Sequence, residues 1–299
     1  MRVLVTGGSG FVGTHLVRRL VARGDEVRVV DLNPPQVDAV DAVVGDLRDR
    51  GVVEEALVPG VDAVVHLAAI TSVLLSKNDP DSCFRTNVLA TEYLLEQART
   101  TGCRRFVFAS SNAVIGDVGS ARIHEQMPLA PLTPYGATKA AAEMLLSAYG
   151  ASYGLIPVSL RFSNIYGAGM QVKDSVVARL MRAALAQGGI EIYGDGEQIR
   201  DYLYVTDACE AIELALGRDA PATLSIGSGE SVSMNTLHRL CCEVTGVAIG
   251  ATHVAAKAGE MPAVYIDTTA ASAAGFTPAH DLRRGLEVTW ADFVAGARR

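Results

Sequence analysis

Tyr135 and Lys139 lie four residues apart directly after Pro134, in a segment whose pattern predicts a helix. Side chains at this spacing project from one helix face, about one turn from each other. A phenol has a pKa of about 10, and a nearby ammonium together with a cationic nicotinamide favours the phenolate, which is a general base. The same spacing also occurs in ordinary surface helices. The pair predicts proton removal from a hydroxyl group only if other catalytic groups accompany it.

A second set of polar residues, Ser110-Ser111-Asn112, ends the predicted strand Phe106–Ala109. Ligands in open α/β sheets bind at the carboxyl ends of the strands, so these hydroxyls emerge where a substrate would lie. One of them can share a hydrogen bond with a substrate oxygen and with Tyr135. Serine, tyrosine and lysine at a dinucleotide site predict hydride transfer from a hydroxyl-bearing carbon.

The N-terminal segment has the pattern of a pyrophosphate-binding turn. The apolar run Met1–Val5 stops at a turn in which Gly7, Gly10 and Gly13 leave no side chain between backbone and ligand. A helical pattern follows, and the free N–H groups at a helix N-terminus attract anions. A tight loop without a ligand is the alternative interpretation of the glycines alone.

Carboxylates after the next strands indicate which dinucleotide binds. Asp31 ends the predicted strand Glu26–Asp31, about 20 residues beyond the glycines, where a dinucleotide fold places the acid that accepts the adenosine ribose hydroxyls. Asp31 predicts NAD, since it would repel the additional phosphate of NADP. Asp46 would lie beside the adenine amino group. His66-Leu67-Ala68-Ala69 ends a further strand with small residues, which suit close approach to a ligand or simple tight packing.

These residues require a sheet that brings strand ends together. From Met1 to about Arg161 the chain alternates apolar strands with amphipathic helices, which predicts an α/β, doubly wound parallel sheet of Rossmann type over residues 1–161. Residues 162–299 predict a smaller C-terminal α/β lobe, some segments of which return to the first domain. The predicted strands include 40–44, 63–67, 106–110, 157–161 and 190–193; the predicted helices include 80–100, 135–152, 175–187, 233–244 and 282–295.

Composition excludes several classes of partner. The net charge of −7 disfavours nucleic acid, which requires clustered Lys and Arg. No stretch approaches the roughly 20 apolar residues of a membrane span, and the N-terminus has the pattern of a strand rather than a leader, which predicts a cytoplasmic protein. Five scattered cysteines without C-x-x-C spacing argue against a disulfide framework and a metal site.

The motifs together resemble the extended short-chain dehydrogenase/reductases, specifically the NAD-dependent nucleotide-sugar epimerase/dehydratase family and, within it, the UDP-glucose 4-epimerase-like members. The resemblance spans nearly the whole chain. It rests on Thr6–Gly13, Ser110-Ser111, Tyr135-x-x-x-Lys139, Arg161–Gly167 and Gly194–Tyr202.

The resemblance implies roles for individual residues. Ser111 is expected as the catalytic hydroxyl, Tyr135 as the base, and Lys139 as its partner and a ribose ligand. The implied cofactor-binding residues are Gly7, Gly10, Phe11, Val12, Gly13, Asp31, Asn33, Asp46, Leu47, Leu67, Ala68, Ala69, Asn87, Tyr135, Lys139 and Phe162. The implied substrate-binding residues are Thr71, Ser111, Asn112, Asn164, Val177, Tyr193, Arg200 and Lys257.

On the substrate side, Asn164 and Arg200 match diphosphate ligands, and guanidinium suits phosphate because it binds two oxygens in a fork. Val177 is expected to border the base, and Tyr193 to pack against a uracil. Two positions depart from the family pattern: Ile115 replaces a common tyrosine, and Lys257 stands where many members have arginine.

Three reactions share this scaffold in the family, and the residues after Ser111 select among them. Dehydratases have an Asp-Glu pair there and decarboxylases a glutamate, whereas this chain has Asn112 and Ala113. The prediction is NAD-dependent C4 epimerisation of a UDP-hexose through a 4-keto intermediate that turns over in the pocket. UDP-glucuronate or UDP-N-acetylglucosamine epimerisation, an NAD-dependent sugar or uronate dehydrogenase, and an NAD-binding regulator remain alternatives. The family also implies a homodimer that pairs through helices 80–100 and 135–152.

Overall fold

The structure, a computed structural model, describes residues 1–38, 40–256 and 261–297. The strands are β1 Arg2–Thr6, β2 Glu26–Asp31, β3 Asp41–Val44, β4 Ala63–His66, β5 Arg105–Ser111, β6 Arg122–Ile123, β7 Ile156–Phe162, β8 Asn164–Tyr166, β9 Gly189–Tyr193, β10 Ile199–Tyr204, β11 Ala222–Ile226, β12 Ser231–Ser233, β13 Gly250–Val254 and β14 Tyr265–Ile266.

The helices alternate with these strands through the first half of the chain. They are α1 Phe11–Ala22, α2 Arg50–Ala56, α3 Val73–Asn78, α4 Pro80–Phe84, α5 Ala90–Thr101, α6 Pro134–Tyr153, α7 Val176–Leu185, α8 Val205–Leu216, α9 Met234–Thr245, α10 Thr269–Ala273 and α11 Leu282–Ala297. A π-helical turn, Arg85–Leu89, joins α4 to α5, and a 3₁₀ turn, Asn112–Val114, follows β5.

The main sheet has seven strands in the order β11-β7-β5-β4-β1-β2-β3. The pairs from β3 across to β5 are parallel, with Val5 opposite Val29 on one side and Val65 on the other. The order reverses direction between β1 and β4, and such a switch point opens a crevice at the strand ends. The predicted doubly wound α/β fold is confirmed.

The core of this sheet is apolar on both faces, as expected for parallel strands that helices cover. Leu4 on β1, Phe106 and Phe108 on β5, and Leu94 and Leu95 on α5 are all fully buried. The near-continuous apolar strands of the sequence arise from this burial, which leaves polar residues to the strand ends.

Two segments differ from their predictions. The helix α3, Val73–Asn78, is not among the predicted helices, and Ser72 caps it by accepting a hydrogen bond from the Leu75 N–H. The single helix expected at 80–100 is interrupted by the π-helical turn, which contains one residue more than an α-helical turn. Asn87 lies within that turn.

Two compact units divide the chain. The first contains Met1–Gly116, Met127–Arg161 and Cys209–Leu224, and the second contains Asp117–Gln126, Phe162–Ala208 and Ser225–Arg299. The second unit has small sheets in the orders β12-β10-β8, β13-β9 and β14-β6. None of its described helices, nor any of the first unit's, is long and apolar enough to cross a membrane.

Candidate active site

The turn after β1 brings backbone atoms so close that only glycine fits. A Cβ on Gly13 would lie 2.1 Å from the carbonyl oxygen of Gly7, and one on Gly7 would lie 2.7 Å from the Ala68 nitrogen. Gly7 also has a φ of +70°, a backbone conformation that residues with a Cβ rarely adopt. Gly10 begins α1 without a side-chain cap, and the first turn carries no acidic residue. The exposed backbone donors fit a dinucleotide pyrophosphate.

Asp31 faces the same turn from the end of β2. Its carboxylate accepts hydrogen bonds from the Ser9 N–H at 3.1 Å and the Asn33 N–H at 3.0 Å, and the Ser9 hydroxyl donates to the Asn33 carbonyl. Asp31 thereby ties the glycine turn to the loop after β2, so the predicted ribose-binding carboxylate and the pyrophosphate turn lie together.

The Asp46 carboxylate, expected beside adenine, is engaged by its neighbour Arg48. The Arg48 backbone N–H donates to it at 2.9 Å and the guanidinium donates through Nε and a terminal nitrogen. This hydrogen bonding lowers the pKa of Asp46. Leu47, which follows, is buried. An adenine contact through Asp46 stays a prediction.

Behind the turn, Thr6 fixes the end of β4. Its hydroxyl oxygen accepts the N–H groups of Leu67 and Ala68, each at 3.2 Å, and it lies 2.7 Å from Nδ1 of His66. His66 is fully buried, and burial together with the Lys139 ammonium lowers its pKa to about 3. His66 is therefore a neutral structural residue that sets the strand end from which Leu67, Ala68 and Ala69 extend.

The helix α6 begins in a way that fixes Tyr135. Thr133 caps the helix by accepting the Gly136 N–H at 3.1 Å, and Pro134 occupies the first turn, where its missing N–H costs nothing. The buried Ser76 hydroxyl accepts the Tyr135 N–H at 3.2 Å. Thr133, before the helix, and Ser76 of α3 thus hold the first turn of α6.

Ser111, Tyr135 and Lys139 lie together in the first unit. Burial raises the pKa of the half-buried Tyr135 phenol, while a hydrogen bond with the Ser111 side chain lowers it. The Lys139 ammonium donates to the Ala109 carbonyl at 2.7 Å and lies 4.6 Å from the centroid of the Phe108 ring. Burial lowers the pKa of Lys139 to about 8, although the Cys83 thiol and the Glu143 carboxylate act in the opposite direction and raise it.

The expectation about the base includes the cofactor and stays a prediction, since the sequence predicts that Lys139 and a cationic nicotinamide together favour the phenolate of Tyr135. In the protein alone burial dominates and the phenol holds its proton more firmly than in water, because its pKa is raised. A cationic nicotinamide is the remaining group expected to act in the opposite direction.

Asn87 connects the helix α6 to the segment that follows β4. Its side chain accepts the Ile70 N–H at 2.8 Å, and its amide nitrogen is 3.0 Å from both the Ile70 carbonyl and the Thr138 hydroxyl. Thr138 in turn donates to the Tyr135 carbonyl at 2.8 Å. Asn87 thus holds the backbone at Ile70, and its supporting role toward the cofactor stays a prediction.

Sequence reasoning missed Glu143, although it follows Lys139 at the same helical spacing. The Glu143 carboxylate accepts two forked hydrogen bonds from Arg161 of β7, with the closest contact at 2.7 Å, and one from the Ser110 hydroxyl at 2.5 Å. Both charged side chains are buried. The repeated four-residue spacing was the available indication.

The second unit holds Asn164 and Arg200 on adjacent parallel strands, β8 and β10. The Asn164 side chain donates to the Asp201 carbonyl at 2.9 Å, and Arg200 donates to the Ile199 carbonyl at 2.8 Å. The buried Asp201 carboxylate accepts the N–H groups of Ser228 and Gly229, each at 2.9 Å. Asp201, which sequence reasoning assigned no role, fixes this strand.

The other predicted site residues occupy varied positions. Val177 is buried in α7 and Phe162 is buried at the end of β7, whereas Tyr193 ends β9 and is half-buried. Thr71 is exposed, and Asn112 begins the 3₁₀ turn beside Ser111. Phe11 and Val12 open α1. Lys257 lies outside the described residues.

Comparisons with known proteins accord with this geometry. The sequence profile of the NAD dependent epimerase/dehydratase family matches residues 3–227. The chain is 33% identical over 316 residues to the UDP-glucose 4-epimerase of Corynebacterium glutamicum, covering 97% of this chain and 95% of that protein. It is also 33% identical to the dTDP-glucose 4,6-dehydratase of Streptomyces antibioticus, covering 97% and 91%. A crystal structure of the UDP-glucose 4-epimerase of Thermus thermophilus with NAD superposes with a TM-score of 0.92, at 36% identity and 98% and 99% coverage.

Proposed function

Because the chain belongs to the NAD dependent epimerase/dehydratase family, we propose that it is a nucleotide-sugar 4-epimerase that acts on a UDP-hexose of the UDP-glucose type. The observation that carries the proposal is the assembly of Ser111, Tyr135 and Lys139 in the same unit as the glycine turn. Neither of the two residues that follow Ser111 is acidic. The relatives named as UDP-glucose 4-epimerases support the same activity.

The turn and strand ends of the first unit would hold NAD, the cofactor of the family. The N–H groups at the start of α1 would bind the pyrophosphate, Asp31 the adenosine ribose, and Lys139 the other ribose. When bound, NAD supplies a hydride acceptor and a cationic ring. The glycine contacts support this assignment, because protein backbone occupies the positions that a Cβ would take and the turn can therefore close tightly at the start of α1.

In the proposed mechanism Tyr135 takes the proton of the sugar C4 hydroxyl as hydride leaves that carbon. Ser111 lies within hydrogen-bonding reach of the phenol and would share the same sugar oxygen. The Lys139 ammonium, fixed on the Ala109 carbonyl, places a positive charge on the same helix face. Return of the hydride to the opposite face of C4 in the turned keto sugar, with return of the proton from Tyr135 to the C4 oxygen, would complete the inversion.

Asn164 and Arg200 are proposed to bind the diphosphate, so that the sugar can turn while the nucleotide stays in place. Arg200 suits the task because its planar guanidinium can bind two phosphate oxygens at once. The Asp201 contacts with Ser228 and Gly229 support the assignment, since they fix β10, which carries Arg200 and accepts the hydrogen bond from Asn164.

Identity to relatives does not separate epimerisation from dehydration, since an epimerase and a dehydratase are equally similar to this chain. Chemistry separates them. Dehydration across C5 and C6 requires groups that remove a proton and protonate a leaving hydroxyl. Asn112 and Ala113 follow Ser111 in the 3₁₀ turn and have no ionisable group, which favours epimerisation.

A panel of UDP-sugars tests the proposal. Purified protein supplied with NAD would be incubated separately with UDP-glucose, UDP-N-acetylglucosamine and UDP-glucuronate, and the products separated by chromatography. The expected result is conversion of at least one sugar to its galacto epimer without accumulation of NADH. Build-up of NADH would make the protein a dehydrogenase, a 4-keto-6-deoxy product would make it a dehydratase, and bound NAD without turnover would favour a regulator.

A homodimer in the cytoplasm is part of the same proposal. Met144 on α6 is 66% exposed and Phe84 on α4 is 46% exposed, which supports pairing through these helices. Leu94 and Leu95, which lie within the predicted helix 80–100, are instead fully buried inside the subunit core. Light scattering at micromolar concentration would distinguish dimer from monomer, and Met144→Glu should shift the equilibrium toward monomer.

A further inference from the structure

The face of α6 that carries the proposed catalytic pair extends one residue further than the pair itself. Tyr135, Lys139 and Glu143 follow one another at four-residue intervals and so lie in a row, with a rise of about 6 Å between successive members. Each member meets the end of β5: Tyr135 meets Ser111, Lys139 meets the Ala109 carbonyl, and Glu143 meets Ser110.

The Glu143 carboxylate is held by three donor groups. Arg161 donates through Nε at 3.0 Å and through a terminal nitrogen at 2.7 Å, and the Ser110 hydroxyl donates to the same carboxylate. The two charged side chains are only 7% and 6% exposed. Fold stability is a poor explanation for such a pair, because its desolvation cost offsets its attraction and apolar replacements are often neutral or stabilising.

The position of the carboxylate offers another explanation. The Lys139 ammonium is buried and faces Cys83 of α4, the neutral His66 of β4 and, on its own helix, Tyr135 and Glu143. Of these, a carboxylate is charged at neutral pH and a thiol only after ionisation. Glu143 is therefore the carboxylate on this helix face that, together with the Cys83 thiol, favours the charged form of Lys139.

We propose that Glu143 is a positioning residue that keeps Lys139 charged and fixes the end of β5, and that Arg161 and Ser110 hold its carboxylate in place. The inference rests on the proposed roles of Tyr135 and Lys139. Glu143 does not touch the reacting atoms in this scheme and acts through its neighbours.

The charged state of Lys139 has a consequence that can be measured. Burial lowers the pKa of Lys139 to about 8, and Glu143 opposes that change. Without the carboxylate, Lys139 loses its proton at a lower pH. The alkaline limb of the kcat profile then moves to lower pH, and the Tyr135 phenol, with less positive charge nearby, ionises at higher pH.

The test compares NAD-saturated wild type with Glu143→Gln and with the double variant Glu143→Gln/Arg161→Met, in which Arg161 is not left as an unpaired buried charge. Ionisation of Tyr135 is followed by near-ultraviolet phenolate absorbance, with the same protein carrying Tyr135→Phe as the blank. We expect the alkaline limb of kcat to move down by about one pH unit and the phenolate titration to move up. The matched control is Glu213→Gln, which breaks the half-buried pair with Arg19 and should move neither.

A folded variant with unchanged thermal midpoint, unchanged NAD affinity and unchanged titrations would overturn the proposal. If neither Gln variant folds, Glu143→Asp keeps the charge but withdraws it by one methylene group, and it should move both titrations in the same directions by a smaller amount. Failure of all three variants to fold would assign Glu143 to the fold alone and overturn the proposal. The phenolate titration needs no substrate, so its outcome is independent of whether wild type turns over any UDP-sugar.

Discussion

His66 donates a hydrogen bond through Nε2 to the Thr91 hydroxyl at 3.0 Å. The direction follows from Thr91, whose single proton is given to the Asn87 carbonyl at 2.7 Å. Nδ1 of His66 must then accept the proton of the Thr6 hydroxyl. The network defines one neutral tautomer of a fully buried imidazole, and each of its hydrogen bonds is satisfied only while the ring stays uncharged.

Acid should therefore destabilise the protein through His66. The pKa is about 3 when folded and 6.5 when unfolded, so between these values the unfolded chain binds a proton that the native one does not. Stability is retained above pH 6.5 and is lost as the pH falls toward 3, with about 2 kcal/mol lost between pH 7 and pH 5. Denaturant unfolding at both pH values measures this.

A substituted chain separates His66 from the carboxylates. His66→Gln retains an amide donor but cannot be protonated, so the difference in unfolding free energy between pH 7 and pH 5 should shrink by about the same 2 kcal/mol. The exposed His253, which lies 2.8 Å from the Gly194 carbonyl, provides a control as His253→Gln. An unaltered pH dependence in His66→Gln would refute the assignment.

Gly7→Ala should impair both folding and NAD binding. The added Cβ would meet the Ala68 nitrogen at 2.7 Å in a left-handed backbone conformation. Gly24, with a φ of +87° and nothing within 4 Å of its Cβ, is the matched control. Gly24→Ala should cost about 1–2 kcal/mol of unfolding free energy from backbone strain alone.

Gly7→Ala should cost more than that and should also weaken NAD binding by about 10–100-fold, the loss expected when one hydrogen bond to a charged group is misaligned. Denaturant unfolding and calorimetric NAD titration report the two effects separately. Equal losses in the two variants, with equal NAD affinity, would mean that the space beside Ala68 is irrelevant to the cofactor.

The elements that position the site were largely predictable from the sequence. The strand β5 and the helix α6 differ from their predicted bounds by only one or two residues, since apolar period and the Thr133-Pro134 start are local properties. The π-helical turn at Asn87 was not predictable, because one additional residue in a turn leaves the apolar pattern nearly unchanged.

Other features depend on contacts distant in sequence. Nothing near Glu143 indicates that Arg161 pairs with it or that Ser110 donates to it. The helix α3 was missed because Val73, Leu74 and Leu75 form an apolar run without helical periodicity, and all three are exposed in the protein. A short apolar run of this kind does not by itself predict a helix.

Arg200→Lys should weaken substrate binding while leaving the chemical step nearly intact. Lysine keeps the charge but loses the two-pronged contact with phosphate, so KM for the UDP-sugar should rise by about tenfold with little change in kcat. Arg239→Lys is the control, because Arg239 is exposed on α9 and pairs with Glu243 at the surface. A fall in kcat with constant KM would place Arg200 in the chemistry rather than in diphosphate binding.

Tyr135→Phe should retain the fold and NAD affinity but lose about 10²–10⁴-fold in kcat, the usual contribution of a general base. The substitution removes only the phenolic oxygen, and the hydrogen bonds that hold the first turn of α6 come from the Tyr135 backbone, which stays in contact with Ser76 and Thr138. Single-turnover reduction of bound NAD by the UDP-sugar isolates the step. Ser111→Ala, which leaves the phenol in place, should lose less than Tyr135→Phe. Turnover of Tyr135→Phe within a few-fold of wild type would require a different base. Tyr135 of the wild type would then stay protonated, the state that burial favours by raising the pKa of its phenol.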